Sequence, residues 1–139
     1  MEYKFLEHTA DVKFQAFGNT LEEAFVSSFY ALKETICGKI SVSKDIRKEL
    51  VIEGTDISNL LYKFLEEFLF LLDSENFLAS EIERIELDEK ENKLKITVLG
   101  DKSENYSFTN DVKAVTYNDM SIEFDDQTKK YVLQVVLDV

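Results

Sequence analysis

The 139-residue chain has no proline, no tryptophan, one cysteine and one histidine. Without proline, and with no Gly/Ser-rich or low-complexity tract, nothing marks a hinge, so a single domain over residues 1–139 is expected. A lone Cys37 cannot close an internal disulfide, which argues against a cross-linked secreted scaffold and for a reducing, cytoplasmic setting. One histidine and one cysteine cannot furnish a multi-His or multi-Cys zinc site. Long apolar runs are missing as well. Met1 to Leu6 is short and mixed, carrying Glu2 and Lys4, unlike a signal peptide. Leu60 to Leu72 is interrupted by Lys63, Glu66 and Glu67, too charged to cross a bilayer, so no membrane association is expected.

Positive charge is scarce. Sixteen Lys and Arg against 28 Asp and Glu give a net charge of −12. Such a surface repels phosphate backbones, and no direct binding of nucleic acid is expected. It suits a basic protein partner or divalent cations, although acidic surfaces commonly serve solubility alone. Neither G-x-G-x-x-G nor G-x-x-x-x-G-K-[ST] occurs, so no nucleotide site is advertised. Nor is there a G-x-S-x-G elbow to place a nucleophilic serine.

What is present is enough to build a core: 45% of residues are hydrophobic. Val12, Phe14 and Ala16 alternate with Lys13 and Gln15, the period of a half-buried strand that Gly18-Asn19 ends. Thr20 and Glu23 form a capping box for a helix whose face is Leu21, Ala24, Phe25, Ser28, Phe29 and Leu32, with Gly38 as its stop. Leu50, Val51 and Ile52 predict a strand running into Gly54-Thr55-Asp56. A second helix starts near Asp56 and carries the stripe Leu60, Leu61, Phe64, Leu65, Phe68, Leu69 and Leu72, which reads as core. Ile82 to Leu87 and Leu94 to Val98, joined by Glu89 to Asn92, predict a hairpin. Strands follow at Val112 to Tyr117, Ser121 to Phe124 and Tyr131 to Val139. The order implies an α+β fold, two amphipathic helices packed on a mostly antiparallel sheet.

The chemistry left open is that of carboxylates. Asp11 and Asp138 both lie at the edges of apolar strands. Tyr131, Leu133, Val135 and Leu137 share one face, so Gln134 and Asp138 point to the other. A chain ending on that strand sets the α-carboxylate of Val139 beside Asp138. Were the strand after Asp11 to pair with the last, three sources of anionic oxygen would meet, as hard cations such as Ca²⁺, Mn²⁺ or Mg²⁺ prefer. An acidic chain also makes many accidental carboxylate pairs. His8 is open to three readings: general base, metal ligand, or a side chain bonded to backbone at a strand end.

Several segments together resemble one family. Glu7-His8-Thr9-Ala10-Asp11-Val12, followed by Gly18-Asn19-Thr20-Leu21-Glu22-Glu23-Ala24-Phe25, is similar to the opening of the archeases. Leu60 to Leu69 resembles their second helix, Val112-Lys113-Ala114-Val115-Thr116-Tyr117 their late strand, and Val136-Leu137-Asp138-Val139 their end. One departure is Asn118, where many relatives have histidine, and the histidine often preceding that motif is absent too. Roles of those histidines are not carried over.

The resemblance implies one strand-helix-strand-strand module inserted into another. It further implies an accessory protein, not an enzyme, that activates an RtcB-type RNA-splicing ligase in tRNA splicing. Such proteins promote guanylylation of the ligase and its multiple turnover, with GTP used by the ligase and not bound here. It places Asp11, Asp138 and the main-chain oxygens of Val139 at a divalent-metal site, calcium or manganese by ligand hardness and magnesium as a further option. Lys113 and His8 are possible supports. The competing expectation is a general chaperone or adaptor for RNA-modifying enzymes, with a structural metal.

Overall fold

Residues 2–7 and 10–139 are described in the computed structural model. The elements run β1 Glu2–Leu6, β2 Val12–Gly18, α1 Leu21–Cys37, β3 Ile46–Glu53, α2 Ile57–Glu75, β4 Phe77–Asp88, β5 Lys93–Lys102, β6 Ala114–Asp125 and β7 Lys130–Asp138. A 3₁₀ turn, Ser103–Asn105, follows β5. The fold is α+β with antiparallel strands, as expected, but the strands divide into two sheets, β1-β2-β7-β6 and β3-β5-β4. The chain clusters accordingly into an outer module, up to Ile36 and from Asn110, and an inserted module, Cys37–Thr109.

Strand periodicity says which residues face a core but not which strand lies alongside, so the division between sheets was beyond the alternation pattern. The same reason explains two smaller differences. The segments at Val112 to Tyr117 and Ser121 to Phe124 belong to one irregular strand, β6, and the mixed N-terminus forms the edge strand β1.

Leaving aside the edge strand β1, each module is a strand, a helix and two strands, and in each the third strand pairs between the other two: β2-β7-β6 and β3-β5-β4. The first strand-to-helix turn is built alike in both. Gly18-Asn19-Thr20 and Gly54-Thr55-Asp56 each place a glycine two residues before the helix cap. A Cβ on Gly18 would come 2.3 Å from the Ala24 nitrogen, and one on Gly54 would come 2.7 Å from the Leu60 nitrogen. Only glycine lets the strand end approach the first helical turn so closely. Reciprocal caps follow. The Glu23 N–H donates to Thr20 Oγ1 (3.1 Å) while Glu23 Oε2 accepts from the Thr20 N–H (3.2 Å). The Asn59 N–H donates to Asp56 Oδ1 (2.8 Å) while Asn59 Oδ1 accepts from the Thr55 N–H (2.9 Å). These pairs satisfy helix-start donors that otherwise lack partners.

In the outer module Phe14 and Ala16 of β2 and Leu133, Val135 and Leu137 of β7 are fully buried, as are Ala24, Phe25 and Leu32 of α1. The Ser27 hydroxyl ties α1 to the sheet by donating to the Phe17 carbonyl (2.9 Å) and accepting from the Glu2 N–H (3.3 Å). In the inserted module Leu60, Leu61, Phe64 and Leu65 are fully buried, with Leu94 and Val98 of β5. α2 ends at Asn76, whose left-handed backbone (φ 51°) turns the chain into β4.

The segments leading into and out of the inserted module's sheet are joined by one side chain. Tyr106 donates its hydroxyl to Asp101 Oδ2 (2.7 Å) and accepts from the Ser43 N–H (2.7 Å). Asp101 also accepts from the Lys102 N–H (2.8 Å) and Asn105 Nδ2 (3.3 Å). The Tyr106 bond first, then the Lys102 N–H, holds this carboxyl below its ordinary 3.8.

Candidate functional site

β2 and β7 pair antiparallel, with Lys13 opposite Val136 and Val12 opposite Leu137. Asp11 immediately precedes β2 and Asp138 is the last residue of β7, so the two lie at the same end of the paired strands. Side chains alternate across a strand, so Lys13 and Gln15 share one face with Gln134, Val136 and Asp138; Val136 is fully buried there and Asp138 is exposed. The opposite, buried face holds Phe14, Ala16, Leu133, Val135 and Leu137. The arrangement anticipated for Asp138, turned away from its apolar row, is therefore the one observed.

Strand β6 closes the other side of β7, Ala114 opposite Asp138. The exposed Lys113, just before β6, contributes through its main chain: its N–H donates to the Asp138 carbonyl at 2.7 Å. Asp138 is exposed, while Asp11 and Val139 are half-buried. Asp11 also lies on the rim of an open groove walled by Phe5 and Leu6 and bounded by Glu34 and Thr35 of α1. His8 lies outside the described residues.

Two carboxylates at one end of a strand pair, with main-chain oxygen of Val139 next in sequence, offer an oxygen-only donor set of the kind that suits a hard divalent cation. Among the described residues no group of three or more His, Cys, Asp and Glu side chains is placed to hold a metal. Full coordination would therefore draw on main-chain oxygen or water. The donor chemistry fits calcium, manganese or magnesium, and gives no support to a soft, thiolate-loving ion.

Two residues not singled out from the sequence lie on this face. Lys13 Nζ sits 3.5 Å from the Asp119 carboxylate. Asp119 arrives there because β6 is widely bulged: Thr116 pairs with Val136 and Ser121 with Gln134, so residues 117–120 stand against Val135 alone. Several bonds pin the bulge. Gln134 Nε2 donates to the Asp119 carbonyl (2.8 Å), and Gln134 Oε1 accepts from Gln15 Nε2 (3.0 Å). Thr116 Oγ1 donates to the Val136 carbonyl (2.9 Å) and accepts from the Asn118 N–H (3.2 Å). The polar pair Asn118-Asp119 between two apolar stretches was the available signal; the alternation placed Lys13 outward without naming its partner.

Comparison with known proteins bears on the chain as a whole. The model of the Archease protein family (MTH1598/TM1083) matches residues 3–139. The protein archease of Pyrococcus abyssi is 42% identical over 120 residues, covering 84% of each chain. That of Methanosarcina mazei is 34% identical over 142 residues, covering 99% of this chain and 96% of its own. The solution structure of Methanobacterium thermoautotrophicum protein 1598 superposes with a TM-score of 0.75 at 31% identity, covering 99% of this chain and 98% of that one. Among the described residues, no helix is long and apolar enough to cross a membrane. With the family model spanning nearly its whole length and relatives above 30% identity covering both ends, this chain belongs to the archease family.

Proposed function

We propose that this protein activates an RtcB-type RNA-splicing ligase in tRNA splicing, promoting guanylylation of the ligase and its repeated turnover. Membership of the archease family carries the reading, and the β2–β7 pairing, which brings Asp11 and Asp138 to one end of the sheet, supports a site there. The protein performs no bond chemistry itself; the ligase uses GTP, and the accessory protein meets protein rather than RNA. A net charge of −12 supports that division, since it favours a basic protein surface over a phosphate backbone.

Asp11 and Asp138, with main-chain oxygen of Val139, would hold calcium, manganese or magnesium. When bound, the cation would supply charge neutralisation for phosphoryl oxygens in nucleotidyl transfer. The chain's own part is positioning. The β2–β7 pair sets the spacing of the two carboxylates, and the Lys113 N–H fixes the Asp138 main chain. The groove beside Asp11, with Phe5 and Leu6 on its wall, offers the ligase an apolar contact next to the anionic end.

The test is single-turnover guanylylation of the cognate ligase with wild-type protein, Asp11→Asn and Asp138→Asn. Both variants should lose at least about tenfold of the stimulation, corresponding to about 1.4 kcal/mol. Their melting temperatures without added metal should stay near wild type, since isosteric exposed or half-buried changes cost little. Full stimulation by both variants would remove the site from the mechanism. Stabilisation by calcium with no effect on any ligase would favour the adaptor reading with a structural metal.

A further inference from the structure

We propose that Asp119, carried on the wide bulge of β6, tunes the cation affinity of the Asp11–Asp138 pair by holding the Lys13 ammonium; the inference rests on reading that pair as a cation site. Three observations lead to it. Lys13 stands two positions after Asp11, which precedes β2, and diagonal to Asp138, since Lys13 opposes Val136. Diagonal neighbours on one face lie about 7–8 Å apart, within reach of a long side chain. The Lys13 ammonium thus has alternative anionic partners: Asp119, where it is found at 3.5 Å, or the pair itself.

The Lys13 side chain is only 19% exposed. Its stem is covered while its ammonium reaches Asp119, which is 58% exposed; without Asp119, the Asp11–Asp138 pair is a neighbouring source of negative charge for it. A lysine there would neutralise charge that a cation needs and would compete with it directly.

The bulge is built to supply Asp119. Four residues oppose one, Asp119 takes a left-handed backbone (φ 53°), and its carbonyl is clamped by Gln134. Strand β4, the counterpart of β6 in the inserted module, has only the single-residue irregularities at Ala79/Glu81 and Ile82/Arg84. Its length matches β6 at 12 residues, so the wide bulge is not a requirement of the shared topology. Wide departures from a ladder concentrate where a side chain must be re-aimed.

The experiment is a double-mutant cycle on divalent-cation affinity, measured by titration calorimetry with Ca²⁺ and with Mn²⁺ on the full chain. Asp119→Asn retains a residue that tolerates the left-handed backbone. It should weaken binding about three- to tenfold, the range for a unit charge arriving within several ångströms of a solvated site. Lys13→Met should leave affinity within about twofold of wild type, and Lys13→Met with Asp119→Asn should restore it. Asp119→Gly, which removes the carboxylate and relieves the backbone, should repeat the Asp119→Asn result.

Unchanged affinity in Asp119→Asn and Asp119→Gly overturns the proposal. So does an additive cycle, in which Lys13→Met alone tightens binding as much as Asp119→Asn weakens it, because the two charges then act only through the general field. Asp11→Asn and Asp138→Asn separate the two levels. Loss of binding in both, with no effect at Asp119, rejects this inference alone; no binding by wild type, or wild-type affinity in both, rejects the cation site and this inference with it.

Discussion

Apart from the edge strand β1, the two modules share an order of elements, a sheet topology and a glycine-and-cap turn, yet the sheet faces away from their helices differ in kind. In the inserted module that face is an ion-pair lattice. Arg47 meets Glu49 and Glu83 at 3.5 and 3.6 Å, Lys93 meets Glu53 at 3.7 Å, and Arg84 pairs with Glu86. Most of these side chains are well exposed, so each pair adds little stability, and the lattice mainly keeps the face charged and soluble. In the outer module the corresponding face carries Asp11, Asp138 and Lys13, overlooked by the bulge that holds Asp119. One scaffold is used twice and specialised once. The chemistry resides in a strand end and a bulge, which can change without disturbing the buried face.

The comparison is best tested first where the modules should behave alike. Phe14→Ala in the outer module and Phe64→Ala in the inserted one each empty a fully buried aromatic position. Each should cost about 3–5 kcal/mol in denaturant or calorimetric unfolding. A loss under about 1 kcal/mol in either would show that module to lack the core assigned to it.

The shared turn is a finer test. Gly18→Ala and Gly54→Ala should each destabilise by about 1–3 kcal/mol through overpacking against the first helical turn. Gly18 should be the more costly, because its approach is 2.3 Å against 2.7 Å at Gly54. Equal tolerance of alanine at both would break the structural equivalence of the two turns.

The smallest effect separates the modules. Tyr106→Phe removes the main group holding the Asp101 carboxyl low, a feature of the inserted module. A carboxyl with a depressed folded-state pKa stabilises above its unfolded value and loses that contribution as pH falls through the folded value. Wild type should thus shed part of its stability below about pH 4. The variant should be somewhat less stable at pH 7 and show a shallower decline with acid. Parallel melting-temperature curves for the two proteins between pH 7 and pH 2.5 would remove Asp101 from the acid response.

How much could be read beforehand varied with how local the cause was. The Thr20–Glu23 capping box formed as its spacing indicated, and the stop at Gly38 coincides with a positive φ of 68°. Each apolar position assigned to the α2 stripe is buried. The repeat of Gly-x-cap before both helices was also legible, as Gly18-Asn19-Thr20 and Gly54-Thr55-Asp56, though its meaning rests on close approaches visible only in the folded chain. β1 escaped notice because Glu2–Leu6 is an edge strand of only five residues, too short for the alternation of Tyr3 and Phe5 with Glu2 and Lys4 to stand out. β6 read as two strands because its bulge interrupts the period between Thr116 and Ser121.

By itself the sequence determined the helices, their caps and the inward rows, since these follow from side chains three or four residues apart on a helix and two apart on a strand. Its ordered motifs also pointed to the family that the comparisons show. Tertiary structure decided what stands beside what: two sheets in place of one, β2 paired with β7 so that Asp11 and Asp138 lie at the same end, and Asp119 brought to Lys13. Strand partners are chosen by non-local packing and register, and a bulge changes that register without leaving a period to read.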